Sequence, residues 1–254
     1  MKQLLNKWLK NSHLLNFKLS TNILKQATFK QSCVLCASLE TNNHAVCAAC
    51  LNELPWHPNT SCPQCGLASS GTALHTIVCG SCLNSPPDFD ATKAVFLYAY
   101  PIDAMMLRYK YGNSLNLGAL FGEFLAEKTL LKTIDVIIPM PMHPQRLKER
   151  GFNQALEIAK VLCKNHKEKL DYKSVTRQTL TPPQASLPLK ERVKNIKGAF
   201  NVNADKLDKL QGKRIAIIDD VMTTGASLNE LAKTLKKAGA SHVECWVIAR
   251  TLPH

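Results

Sequence analysis

Ile215-Ala216-Ile217-Ile218-Asp219-Asp220-Val221-Met222-Thr223-Thr224-Gly225-Ala226-Ser227 decides how this chain is read. A short apolar run ends in two adjacent carboxylates, and a small loop bearing hydroxyls and a glycine follows. Leu228, Leu231, Ala232 and Leu235 then recur at i, i+3, i+4 and i+7, the spacing of one helix face. The order is strand, loop, helix start. Free N–H groups at such a helix start favour a phosphate dianion. Thr223, Thr224 and Ser227 add hydroxyl donors, and Gly225 lets the backbone come close to a ligand. Asp219 and Asp220 stand at the strand end, where open α/β sheets place ligands. Two carboxylates there can accept hydrogen bonds from a vicinal diol. Phosphate and diol together describe a ribose 5-phosphate.

Working outward, Lys93–Tyr100 is strand-like, and Pro101 opens a helix running to Tyr111 and ending near Gly112. That helix end carries Arg108 and Lys110 interleaved with Tyr109 and Tyr111. Bases and aromatics so placed can pair with and stack on nucleic acid, and a half-buried helix end would look the same. A second helix is expected over Leu115–Leu131. Asp135-Val136-Ile137-Ile138 is a buried-type strand that runs into a Pro-rich turn and then Arg146, Lys148 and Arg150. Arginines beside a strand end can grip phosphates with two parallel hydrogen bonds. The block Arg146–Gln154 is expected to open another helix, with Ala155, Ile158, Ala159 and Leu162 toward the core. A polar, Pro-bearing stretch, Thr176–Leu187, precedes Arg192 and Asn195. Val243–Ala249 is the last strand. Strands alternating with helices imply an α/β fold with a doubly wound parallel sheet.

The chain has 254 residues, 45% of them hydrophobic, enough for one large domain or a large and a small one. No apolar stretch approaches the roughly 18–20 residues of a membrane span. The formal charge is +13, which suits contact with polyanions or a well-solvated basic surface. No acid precedes Glu40, so residues 1–31 form a basic extension without the pattern of a signal peptide. Eight of ten cysteines form C-x-x-C pairs: Cys33/Cys36, Cys47/Cys50, Cys62/Cys65 and Cys79/Cys82. Two intervening residues let one knuckle aim both sulfurs at one tetrahedral zinc, and two knuckles complete a four-thiolate site. Two structural Zn2+ ions are expected, with sequential pairing favoured by the short gaps and interleaved pairing open. His44, His57 and His75 are read as surface histidines, and Cys163 and Cys245 as buried thiols. Asn84–Asp88 reads as a linker, giving an extension (1–31), a double ribbon (32–84) and a large domain (89–254).

The stretch Ile215–Ser227 resembles the signature of type I phosphoribosyltransferases. In that family the loop holds the 5-phosphate of phosphoribosyl pyrophosphate (PRPP) and the acids hold its 2- and 3-hydroxyls. The resemblance implies that Asp219, Asp220 and the loop residues Val221, Met222, Thr223, Thr224, Gly225, Ala226 and Ser227 bind PRPP. It implies that Arg146 and Arg150 meet the pyrophosphate half, and that the stretch after Thr176 is a mobile catalytic hood bringing Arg177, Gln184 and Arg192 to the diphosphate. With the ribbons, Arg150-Gly-Phe-Asn-Gln154 and the hood in this order, the chain is similar to the ComF family, which includes competence proteins and GntX-like proteins. That family implies a cytoplasmic role in natural transformation, handling imported single-stranded DNA with a helicase and recombination loaders. It also implies Mg2+ bound with PRPP. Three functions stay open: a phosphoribosyltransferase with an unidentified acceptor, a non-catalytic DNA-binding adaptor, or a GntX-like enzyme unrelated to competence.

Overall fold

The computed structural model describes residues 32–41, 44–68, 77–112, 114–180 and 196–252. The basic extension, His75 and the hood residues 181–195, with Gln184 and Arg192, lie outside the described residues. The chain separates into two compact units, Met1–Leu51 and Asn52–His254. This division falls inside the span expected to form one double ribbon.

In the smaller unit the first knuckle closes through Cys33 N–H to Ser38 O (2.7 Å) and Ala37 N–H to Cys33 O (2.8 Å). Val34 N–H donates to Ala45 O, tying it to the segment that enters a short helix, α1 (Ala48–Asn52).

The larger unit begins with the second ribbon, which includes α2 (Gly80–Asn84). Its elements continue as β1 (Ala91–Leu97), α3 (Ile102–Tyr111), α4 (Asn116–Lys128), β2 (Val136–Pro139), α5 (Pro144–Arg150) and α6 (Gln154–Leu162). Then come β3 (Val175–Arg177), β4 (Phe200–Val202), β5 (Arg214–Met222), α7 (Ala226–Lys237) and β6 (His242–Arg250). Four strands form one parallel sheet in the order β1-β6-β5-β2. β3 and β4 pair separately and antiparallel, at the base of the expected hood.

Ile215–Ile218 are completely buried because β5 is central and covered on both faces. Ile215 and Ile217 pack in one cluster with Leu228, Leu231, Ala232 and Leu235 of α7. The alternate residues Ala216 and Ile218 point to the other face. There α4 and α6 lie against each other, α6 against β5 and β2, and α4 against β1 and β6. Helices on both faces make this the expected doubly wound sheet.

The block Arg146–Gln154 differs from expectation. It is divided between two helices, because Gly151 turns left-handed (φ 84°) and ends α5. Asn153 then caps α6, its Oδ1 accepting from Leu156 N–H (3.2 Å) and its Nδ2 donating to Met140 O (3.1 Å). The side-chain bond to Met140 fixes the turn after β2 to the start of α6.

Candidate functional site

Alternation along β5 sends Asp219 and Asp220 to opposite faces of the sheet at its open end. Asp220 is buried, and Lys110 Nζ of α3 reaches its Oδ1 at 3.0 Å. Burial pulls the Lys110 ammonium down, but Asp220 and then Asp219 outweigh it and hold it above its usual range. Asp219 is half-buried and is pushed up to about 7 by burial and then by the Asp220 charge. The N–H of Asp220, Lys110 and Arg177 oppose that rise. Asp219 can thus give up a proton near neutral pH, beside a carboxylate that Lys110 holds.

Directly after it comes the loop Thr223–Gly225. Thr224 Oγ1 accepts from Ala226 N–H (3.3 Å) at the head of α7. Gly225 is left-handed (φ 79°), and an added Cβ would stand 2.7 Å from Met222 Cε. α7 has no acid in its first turn, so its dipole is left uncompensated for an anion.

The predicted basic residues gather around this centre to different degrees. Arg177, half-buried on β3, lies 5.8 Å over the Phe200 ring. Burial lowers its pKa, while the charges of Asp219 and Arg146 act on it in opposite directions. Arg146 pairs with Glu149 at 2.9 Å on α5. Arg150 sits 5.2 Å over the Tyr111 ring, with Nη2 3.5 Å from its hydroxyl. Lys110 and Tyr111, read from sequence as candidates for nucleic acid, are therefore drawn toward the acidic centre and Arg150. Arg108 is exposed on the same helix. Tyr109, read from sequence among the aromatics that could stack on nucleic acid, serves the fold instead. Tyr109 is fully buried and donates to Gln154 O (2.9 Å), joining α3 to α6.

The eight cysteines form two tetrads, Cys33/Cys36/Cys47/Cys50 and Cys62/Cys65/Cys79/Cys82, with sulfurs within 4.8 Å of one another in each. The pairing is sequential. Cys36–Cys47 and Cys65–Cys79 sulfurs are 3.6 Å apart, near the roughly 3.8 Å edge of a tetrahedron with metal–sulfur bonds of about 2.3 Å. In each tetrad burial raises the first thiol, but knuckle N–H groups outweigh it, lowering Cys33 to about 6 and Cys62 to about 7. The donor set fits zinc with all four positions taken. His57 differs from the surface reading: it is buried, and its Nε2 donates to Gly66 O at 2.8 Å. Cys163 and Cys245 are completely buried. Among the described residues no helix is long and apolar enough to cross a membrane.

Comparison with known proteins places these features in a lineage. A double zinc ribbon family model matches residues 24–83, and a phosphoribosyl transferase domain model matches residues 147–252. Competence protein F of Haemophilus influenzae is 30% identical over 234 residues, covering 87% of this chain and 98% of that protein. The DNA utilization protein YhgH of Escherichia coli (strain K12) is 30% identical over 228 residues, 87% of this chain and 97% of that protein. Competence protein ComFC of Streptococcus pneumoniae is 26% identical over 158 residues, 62% of this chain and 67% of that protein. A parallel α/β sheet of phosphoribosyltransferase type, preceded by two cysteine tetrads and matching competence protein F almost end to end, makes this chain a member of the ComF family.

Proposed function

We propose that the strand-end site binds PRPP together with Mg2+, and that the protein uses it in handling single-stranded DNA during natural competence. The observation that carries the ligand is the juxtaposition of Asp219 and Asp220 with the Gly225 loop and the acid-free start of α7. The two carboxylates accept from the ribose 2- and 3-hydroxyls. The loop N–H groups, with the Thr223, Thr224 and Ser227 hydroxyls, donate to the 5-phosphate. Lys110, Arg177, Arg146 and Arg150 supply positive charge for the diphosphate, and binding moves Lys110 off Asp220 as the diol arrives. Mg2+, held beside the Asp219 and Asp220 carboxylates, would supply positive charge that offsets the diphosphate. The family resemblance would add Gln184 and Arg192, which lie outside the described residues, to the diphosphate contacts. The two tetrads hold structural zinc and take no part in the chemistry.

The DNA part rests on the names of the relatives, competence proteins and a DNA utilization protein, and on the +13 charge. A helicase and recombination loaders in the cytoplasm are the partners this reading implies. Whether the phosphoribosyl group is transferred is decided by pyrophosphate release from PRPP in the presence of nucleobases or single-stranded DNA. Calorimetry with PRPP and Mg2+ tests the site itself: wild type binds, and Asp220→Ala loses at least tenfold. Equal affinity in the folded variant refutes the assignment.

A further inference from the structure

The second cysteine tetrad is wired to the phosphate loop through one buried cation. Its knuckle presents four successive carbonyls, and each is taken by a side chain or amide of the larger unit. Pro63 O accepts from Thr92 N–H (3.1 Å) and Gln64 O from Thr92 Oγ1 (2.6 Å). Cys65 O accepts from Arg250 Nε (3.0 Å), and Gly66 O from His57 Nε2 (2.8 Å). The other end of the same guanidinium reaches the loop: Arg250 Nη1 donates to Met222 O (3.0 Å), to Thr223 O and to Thr251 O (3.1 Å). Thr251 N–H bonds Met222 O as well (3.1 Å). Arg250 is 5% exposed, and among the described residues its partners are carbonyls, the Thr251 hydroxyl and the Cys65 thiol, with no carboxylate. A buried guanidinium without a counter-ion is costly. A four-thiolate zinc centre, which carries net negative charge, would balance it.

We propose that Arg250 is a positioning residue through which the metal of the Cys62/Cys65/Cys79/Cys82 tetrad sets the shape of the phosphate loop. Metal fixes the Cys62–Gly66 knuckle, the knuckle fixes Cys65 O, and Arg250 carries that position to Met222 and Thr223, whose following N–H groups face the phosphate. Lysine cannot replace it, because one ammonium cannot span acceptors that a guanidinium grips at both ends. The other tetrad belongs to the smaller unit and has no part in this link. The effect on PRPP affinity rests on the PRPP reading; the effect on loop mobility does not.

The test uses full-length protein in four forms: wild type, Arg250→Lys, Cys79→Ser and Cys47→Ser. Zinc content, PRPP–Mg2+ calorimetry and hydrogen exchange of Asp220–Ala226 and Thr251 are measured on each. Cys79→Ser should lose one zinc, speed exchange in both segments and weaken PRPP by roughly tenfold, the size expected from losing one charge-assisted hydrogen-bond link. Arg250→Lys should keep both zincs and show the same two effects, which separates the link from loss of the ribbon. Cys47→Ser should lose the other zinc and leave exchange in the two segments unchanged. Thr92→Val, which frees Gln64 O while sparing Arg250 and every thiol, should speed exchange more weakly and stands in if Arg250→Lys does not fold. Wild-type exchange in both Cys79→Ser and Arg250→Lys, or in Thr92→Val as the stand-in, overturns the proposal. Wild type that binds no PRPP overturns the ligand assignment alone, and the exchange measurements still decide the role of Arg250.

Discussion

Replacing Asp219 with asparagine should stabilise the protein at alkaline pH while damaging its site. The folded protein holds this carboxyl at about 7 against an ordinary 3.8, chiefly by burial and the neighbouring Asp220. A carboxyl raised in the folded state is a cost that appears only as it ionises: absent well below pH 4, growing from there to about 7, complete above. About three pKa units correspond to roughly 4 kcal/mol. Asp219 keeps some contact with solvent, so about half of that, ~2 kcal/mol, is the expected gain for Asp219→Asn above pH 7. Strong acid would strip the cysteine tetrads, so the comparison is best made between pH 5.5 and 8.5. Over that interval the advantage of the variant should grow by about 1 kcal/mol, a midpoint shift of roughly 2–4 °C for a unit of this size. Fluorescence of the buried Trp246 reports unfolding of the larger unit. An advantage that is absent at pH 8.5, or equal at both pH values, would refute the picture of a strained acidic pair. If Asp219 accepts from the ribose diol as proposed, the same variant should bind PRPP about tenfold more weakly, since that acceptor becomes partly a donor.

Gly225→Val forces a β-branched residue into φ 79° and places its Cβ 2.7 Å from Met222 Cε, so PRPP binding by calorimetry should fall below detection while both zincs remain. Lys110→Met leaves Asp220 buried without its cation and should destabilise by about 1–3 kcal/mol at pH 8. Most of that loss should disappear in an Asp220→Asn background, and equal losses in both backgrounds would show that the pair is not coupled. Single-stranded DNA should bind with log affinity falling against log salt at roughly 0.7 per phosphate contact, and deleting Met1–Gln31 should flatten the slope. A salt-independent fluorescence titration would remove the extension as a DNA contact.

Local chemistry was legible and tertiary chemistry was not. Asp219, Asp220 and the Gly225 loop could be placed from sequence because strand, turn and helix start are all set within thirteen residues. The tetrads were legible for the same reason, each knuckle being five or six residues long. Arg250 follows the last expected strand, Val243–Ala249, and nothing within several positions announces that its partners are Cys65 and Met222. The Arg146–Gln154 block reads as one helix start because its charged residues suit a helix on both sides of Gly151, which the fold turns left-handed. Asn153 carried a cap signal that could have divided it.

Charge was the least legible quantity of all, and the structure redistributes it. Composition gave +13 and a cluster of bases and tyrosines at the end of α3, which together suggested polyanion contact. The fold turns Lys110 inward onto Asp220, 3.0 Å away, and stacks Arg150 on Tyr111. Those two cations belong to the same acidic centre as Arg177, where they offset carboxylates and, on the proposed reading, meet a diphosphate. A long nucleic acid needs a row of accessible cations instead, and Arg108 alone on α3 does not make one. Any DNA affinity in this chain must therefore draw mainly on lysines outside the site, so PRPP and DNA should bind without competing. Titration of single-stranded DNA in the presence of saturating PRPP and Mg2+ should give an unchanged affinity. Mutual displacement would mean that Lys110 and Arg150 serve both ligands and that the site itself is the DNA groove.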